Sequence, residues 1–277
     1  VLAACGPRAP EKTYALPTGT SMALEVDVRE EIVGTGTAWR LEVAGRGEFE
    51  SDGSFRLSIG RARLESQADG GAPVVVATDD SVDVRSRRTP GDVAKARLLE
   101  SLHGAVVTIG FDAVNGVASV EGLDRALGSA PGAGADGGLG SMCSDARWRR
   151  DLAAAGLCAV PSAVRESGEF DRSARVFVPG RGETTMRLKG AVGRDDSGLS
   201  ATRVEGTLSA DAAFDGSAGA QPPALIGQVV VAGVAAEATT TYPPQNGPPI
   251  KGQIATTIPF ASGLTERATT TFTLVRR

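Results

Sequence analysis

The sequence predicts a mainly β domain of the α+β class, built from long antiparallel meanders with two short helices. Three observations predict it. Apolar side chains recur at every second position through several long runs. Glycine-containing turn dipeptides separate many of those runs. Only two windows carry the three-to-four spacing of an amphipathic helix.

The first strand is expected over 22–32. Met22, Leu24, Val26 and Val28 alternate with Glu25, Asp27 and Arg29, so one face is buried and the other wet. Gly34 and Gly36 then open a hairpin into a second run, where Trp39, Leu41, Val43 and Phe49 share a face and Arg40 and Glu42 point away. Gly45 and Gly47 fall on that inner face and permit a bend. After the Asp52-Gly53 turn, Phe55, Leu57 and Ile59 lie in phase. The phase slips at Gly60 and resumes at Ala62 and Leu64, which predicts a bulge. Further strands are expected at 73–78 and 81–85.

Thr89, Pro90 and Asp92 together form a helix start: a capping hydroxyl, proline at the first helical position and an acid in the first turn. Val93, Ala96, Leu99 and Leu102 recur at helical spacing, and Gly104 stops the run. Val107, Ile109 and Phe111 return to strand spacing, and Asn115-Gly116 predicts a hairpin. The stretch 128–140 is nearly all Gly, Ala, Ser, Pro and Asp and reads as a linker. Ser144 caps a second helix running to about Ala155, with Trp148, Leu152 and Ala155 on one face and Arg147, Arg149 and Arg150 on the rest. Strands then follow near 175–178, 186–192, 199–210, 226–238, 250–260 and 266–275. The later ones are rich in Thr (Thr239, Thr240, Thr241 and Thr269, Thr270, Thr271), a residue suited to half-wet strands. The organisation is therefore a tether over 1–17, a first β section with its helix over 18–127, a Gly-rich linker over 128–142, and a helix plus second β section over 143–277. The two sections form either two lobes or one continuous domain.

Composition excludes several functions. The net charge is −4 with 22% charged residues of both signs interspersed, which is a solvated surface and not a nucleic-acid footprint. Aromatics make up only 4%, so the core rests on Val, Leu, Ala and Ile, and a saccharide platform is not expected. His103 is the only histidine and sits at the end of the first helix, where it complements the helix C-terminus. A nucleophile–base triad therefore lacks its usual base, and zinc lacks its ligands. The pairs Asp79-Asp80 and Asp195-Asp196 lie beside turn signals, and Arg85, Arg87 and Arg88 read as a solvated edge or, alternatively, as a contact with lipid headgroups. The Gly-rich run over 132–140 lacks the Lys-Ser or Lys-Thr ending of a phosphate loop. No catalytic residue, metal or cofactor is expected, and the chain reads as a non-enzyme.

The N-terminal residues Leu2-Ala3-Ala4-Cys5 resemble the lipobox of bacterial lipoproteins. The resemblance implies cleavage before Cys5, lipid on its thiol and acylation of the new amine. Gly6 to Pro10 then reads as a tether. The implied location is the cell envelope, on a membrane surface and not through it, and in a double-membraned bacterium the outer membrane. If Cys5 carries lipid, Cys143 and Cys158 remain as an even pair. They are either a disulfide closing a short loop, worth about 3 kcal/mol in the chain-entropy model, or two thiols buried in apolar packing.

The order of elements also resembles the lipoprotein-carrier superfamily and uncharacterised families of secreted lipoproteins. The first resemblance implies a curved half-barrel whose concave apolar face holds acyl chains. On that reading Met22, Leu24, Val26, Trp39, Leu41 and Val43 line a lipid or other apolar ligand. The alternative is that these faces simply form the core, and that the lipoprotein serves a structural role or binds an envelope protein.

Overall fold

The computed structural model describes residues 18–78, 90–112, 116–128, 142–157, 169–178, 182–194, 200–208, 234–242 and 250–276. The two β sections form one antiparallel sheet. Strands β1 (Ser21–Val33), β2 (Thr37–Phe49), β3 (Phe55–Gln67), β4 (Val74–Ala77), β5 (Val106–Asp112) and β6 (Gly116–Glu121) make the first half. Strands β7 (Glu169–Val178), β8 (Gly182–Arg194), β9 (Ser200–Leu208), β10 (Ala235–Tyr242), β11 (Lys251–Pro259) and β12 (Thr265–Arg276) make the second. The order across the sheet is β6-β5-β3-β2-β1-β12-β11-β10-β9-β8-β7, with β4 paired to β3 beside β5.

The halves are seamed by the first and last strands. Met22 faces Arg276 and Val33 faces Thr265, with every residue between them in register. Along that seam Val26 sits opposite Phe272 and Leu24 opposite Leu274, so the apolar rows of both strands fall on the same face. The bulge expected at Gly60 is present: Ala44 pairs with Arg61 and Gly45 with Ile59, leaving Gly60 unpaired. Gly45 is required there, because a Cβ on it would lie 2.4 Å from the Ser58 carbonyl oxygen.

Among the described residues three helices pack on the apolar face: α1 (Pro90–Leu102), α2 (Leu123–Gly128) and α3 (Asp145–Ala155). The first and third were expected; α2 was not. Its start is capped from a distance, because the Asp145 carboxylate accepts from the backbone N–H groups of Leu123 at 2.8 Å and Gly122 at 3.2 Å. Ser144 caps α3 as expected, its hydroxyl accepting from the Arg147 N–H at 3.1 Å. Gly156 ends α3 in the left-handed conformation, at φ 86°.

The sheet is curled into a half-barrel, and α3 lies inside the curl. This helix touches edge strand β6, edge strand β7, and β10, β11 and β12 between them. A helix that reaches both edges of one sheet is wrapped by it. Its burial agrees: Arg147, Trp148, Arg150, Asp151, Leu152, Ala154 and Ala155 are all buried. The expectation that Arg147 and Arg150 decorate a wet face is thereby corrected; the less buried stripe of α3 runs through Ala146, Arg149 and Ala153 instead. Helix α1 instead covers β3 and β4 and packs on α2. Among the described residues no helix is long and apolar enough to cross a membrane. The strand expected at 81–85, most of the 128–142 linker and residues 226–233 lie outside the described residues, as do Cys5, Asp79, Asp80, Asp195, Asp196, Arg85, Arg87 and Arg88.

Candidate functional site: the apolar face and the charged clamp beneath it

The six side chains expected to line a ligand do share one face. Register places Val26 opposite Val43, Val28 opposite Leu41, and Glu30 opposite Trp39. Met22, Leu24, Val26, Leu41 and Val43 are all buried, with Leu41 wholly inaccessible, and Trp39 is partly buried against the same cluster. Their burial matches that of an ordinary core.

Beneath the same face, where α3 meets β1 and β12, lies a cluster that composition did not announce. Glu30 on β1 continues the row Met22, Leu24, Val26, Val28 inward and is only 4% exposed. Glu266 on β12 is 6% exposed. Register sets Glu30 opposite Ala268 and Ile32 opposite Glu266, so the two acids are diagonal neighbours on the buried face. From α3, Arg147 donates from Nη1 to Glu30 Oε1 at 2.6 Å and from Nε to Asp151 Oδ2, one turn along its own helix. Arg150 Nε donates to Asp151 Oδ1 at 2.8 Å, and the Thr270 hydroxyl donates to Asp151 Oδ2 at 2.6 Å. Asp151 therefore ties two guanidinium groups and strand β12 together. Burial pushes its acidity down in strength, but the charges of Arg147 and Arg150 and the hydrogen bonds from Thr270 and Arg150 win, holding the carboxyl at about 2.

The cluster is not fully satisfied. Glu30 Oε2, Glu266 Oε2 and Trp148 Nε1 are buried without a hydrogen-bond partner among the described residues. Of these three residues, Glu266 borders a cavity of about 20 Å³, bounded also by Arg147, Arg150, Asp151, Thr256 and Thr270. That is the size of a single water molecule. Burial first, and then the like charge of Glu30, push the Glu266 carboxyl up to about 7 in spite of the opposing pull of Arg147 and Arg150.

The C-terminal end of α3 is seated with equal closeness. The Thr240 hydroxyl donates to the Ala155 carbonyl at 2.8 Å. A Cβ at Gly252 would lie 2.2 Å from that carbonyl oxygen and 2.3 Å from Phe272 Cε1. Gly252→Ala is therefore expected to cost about 1–3 kcal/mol by overpacking and to lift the end of α3 off β11. Hydrogen exchange should show the last-turn amides of α3 less protected than in the parent. Unchanged protection would mean that the helix does not rest there.

The opposite face is polar. An open groove of about 560 Å³ runs over Thr269, Thr271 and Thr273, flanked by Arg40, Glu42, Arg61 and Lys251. Asp27 accepts there from Arg29 Nη2 at 2.8 Å and Arg40 Nη2 at 3.0 Å. These half-exposed ion pairs offer nothing to an acyl chain.

Two further expected residues, Cys143 and His103, lie among the described residues. Cys143 is buried as a free thiol, and burial, with the charges of Asp145 and Asp124, raises its pKa. Its expected disulfide partner Cys158 lies outside the described residues, so the bridge is not among the described contacts. His103 is exposed just past α1, its backbone N–H reaching the Leu99 carbonyl at 3.3 Å. Among the described residues no group of three or more His, Cys, Asp or Glu is placed to hold a metal.

No protein-family model and no curated protein sequence matches the chain. Among solved structures it resembles lipovitellin, in a study of lipid–protein interactions, with a TM-score of 0.52 at 10% identity over 94% of this chain. The matched region is 25% of the lipovitellin chain, so this protein spans about a quarter of that length. The likeness is one of fold: a curled antiparallel sheet.

Proposed function

We propose that this domain is a non-enzymatic carrier that takes a lipid or another apolar molecule into the curl of its sheet, while held at a membrane of the cell envelope by lipid on Cys5. The observation that supports it most is the wrapping of one sheet around one helix. A curled sheet with a continuous apolar face is the same kind of fold as in a protein whose structure concerns lipid–protein interactions. In the structure α3 occupies the space that an acyl chain would take. Exchange of helix for ligand is energetically reasonable, because each methylene buried returns about 0.8 kcal/mol, and a long acyl chain offsets the loss of several side chains.

Native mass spectrometry of protein purified from its own membranes tests both parts. The expected spectrum contains protein with a bound lipid that collisional activation releases, and an N-terminus that starts at an acylated Cys5. Protein carrying residues 1–4 and a bare Cys5 thiol would sink the anchor. Protein that never carries lipid, and never binds an added lipophilic dye, would sink the carrier. The full burial of Leu24, Val28 and Leu41 favours a second reading in that case: a lipoprotein whose sheet is a closed scaffold for an envelope partner.

A further inference from the structure

The cluster under α3 holds three carboxyls, Glu30, Asp151 and Glu266, against two guanidinium groups, Arg147 and Arg150, among the described residues. Two of each balance. A third carboxylate would be an uncompensated buried charge, which proteins avoid by keeping the group protonated. Glu266 is the carboxyl with no ion pair among the described residues, and it borders the small cavity with one oxygen unpartnered. We propose that Glu266 is a proton latch on α3: with its proton the helix stays seated in the curl, and on losing that proton to solvent it loosens and uncovers the apolar face. The proposal rests on the carrier reading above and supplies its regulation.

The groups facing Glu266 fix the direction. Glu30 faces it from β1 and Arg147, Arg150 and Asp151 from α3, while Ile254 and Thr256 of β11 carry no charge. The folded protein holds the proton up to about pH 7, against an ordinary glutamate value of 4.5. A raised folded-state value contributes stability that is complete below the ordinary value and is lost as pH rises through the folded one. Seating of α3 is therefore tightest in mild acid and weakest above neutrality. The penalty falls locally, because the clamp joins one short helix to β1 and β12 while the strands keep their own ladders.

The protein carries its own reporter. Trp148 lies on α3 and is wholly buried, and the chain has only two tryptophans, so Trp39→Phe leaves Trp148 alone. The probe is N-phenyl-1-naphthylamine, an uncharged dye across the range used. Between about pH 5 and about pH 9, Trp148 emission should move to the red and dye affinity should rise at least about tenfold, the factor one pH unit of linkage supplies. Both changes should centre near pH 7. Glu266→Gln, which carries no titrating proton, should bind dye weakly and hold blue emission throughout. Glu30→Gln removes the like charge and should move the midpoint to lower pH. Emission and dye binding that ignore pH in the parent, or that shift alike in Glu266→Gln, would overturn the latch. A Trp148 shift without dye binding at any pH would keep the latch and sink the carrier. Dye binding equal at both extremes with Trp148 unmoved would do the reverse.

Discussion

Asp151→Ala is expected to lower the unfolding free energy by about 3–5 kcal/mol, the cost of breaking a buried ion pair from one side. The carboxylate it removes accepts from Arg147, Arg150 and the Thr270 hydroxyl. Deletion leaves Arg150 without that partner and Arg147 with only Glu30, in a setting where both guanidinium side chains are buried. Urea unfolding should show a lower midpoint with an unchanged slope. Acid titration supplies the sign. Because the folded Asp151 carboxyl is held at about 2 against an ordinary 3.8, its contribution is present above 3.8 and is lost as pH falls through about 2. The parent should therefore lose stability across that window, and the variant should not show this component. A loss below about 1 kcal/mol would mean that the cluster is solvated like a surface pair.

Trp148→Ala is expected to cost about as much, roughly 3–5 kcal/mol, for a different reason. The indole is fully buried inside the curl, and its Nε1 has no hydrogen-bond partner among the described residues, so the loss comes from packing and hydrophobic transfer. The space left behind is lined in part by apolar side chains of the sheet, and cavities of that kind stay dry and accept apolar guests. The variant should therefore bind N-phenyl-1-naphthylamine tightly even in mild acid, where the parent binds it weakly. Calorimetry and dye titration on the same sample decide it. A destabilised variant that takes up no dye would show that the curl collapses around the gap.

Much of the sheet was legible in the sequence because half-buried strands write their faces as period two. The Gly60 slip and the Ser144 cap were readable for the same reason: each is a local device whose residues lie within a few positions of one another. The charged clamp was harder. Its members come from β1, α3 and β12, with Glu30 and Arg147 separated by 117 positions. Yet two signals were there. Glu30 falls in phase with Val28 and Ile32, and Glu266 with Ala268 and Phe272, which puts each acid on a buried face. Arg147 and Arg150 misled because arginine on a helix usually means solvent, and nothing local shows that a sheet closes around most of α3. Helix α2 escaped for a similar reason: it is one short turn sequence whose cap, Asp145, lies 22 positions beyond Leu123.

The seam between β1 and β12 sets an order on biogenesis. Val33 and Thr265 meet across roughly 230 positions of chain, so the middle of the sheet is completed only after both wings exist. Until the last strand arrives, β1 offers an unpaired ladder beside a bare apolar row, the kind of template on which chains aggregate. A chain delivered from its N-terminus would need protection for that edge throughout its emergence, and a truncation that removes β12 would leave two separate ribbons where the complete chain has one continuous surface.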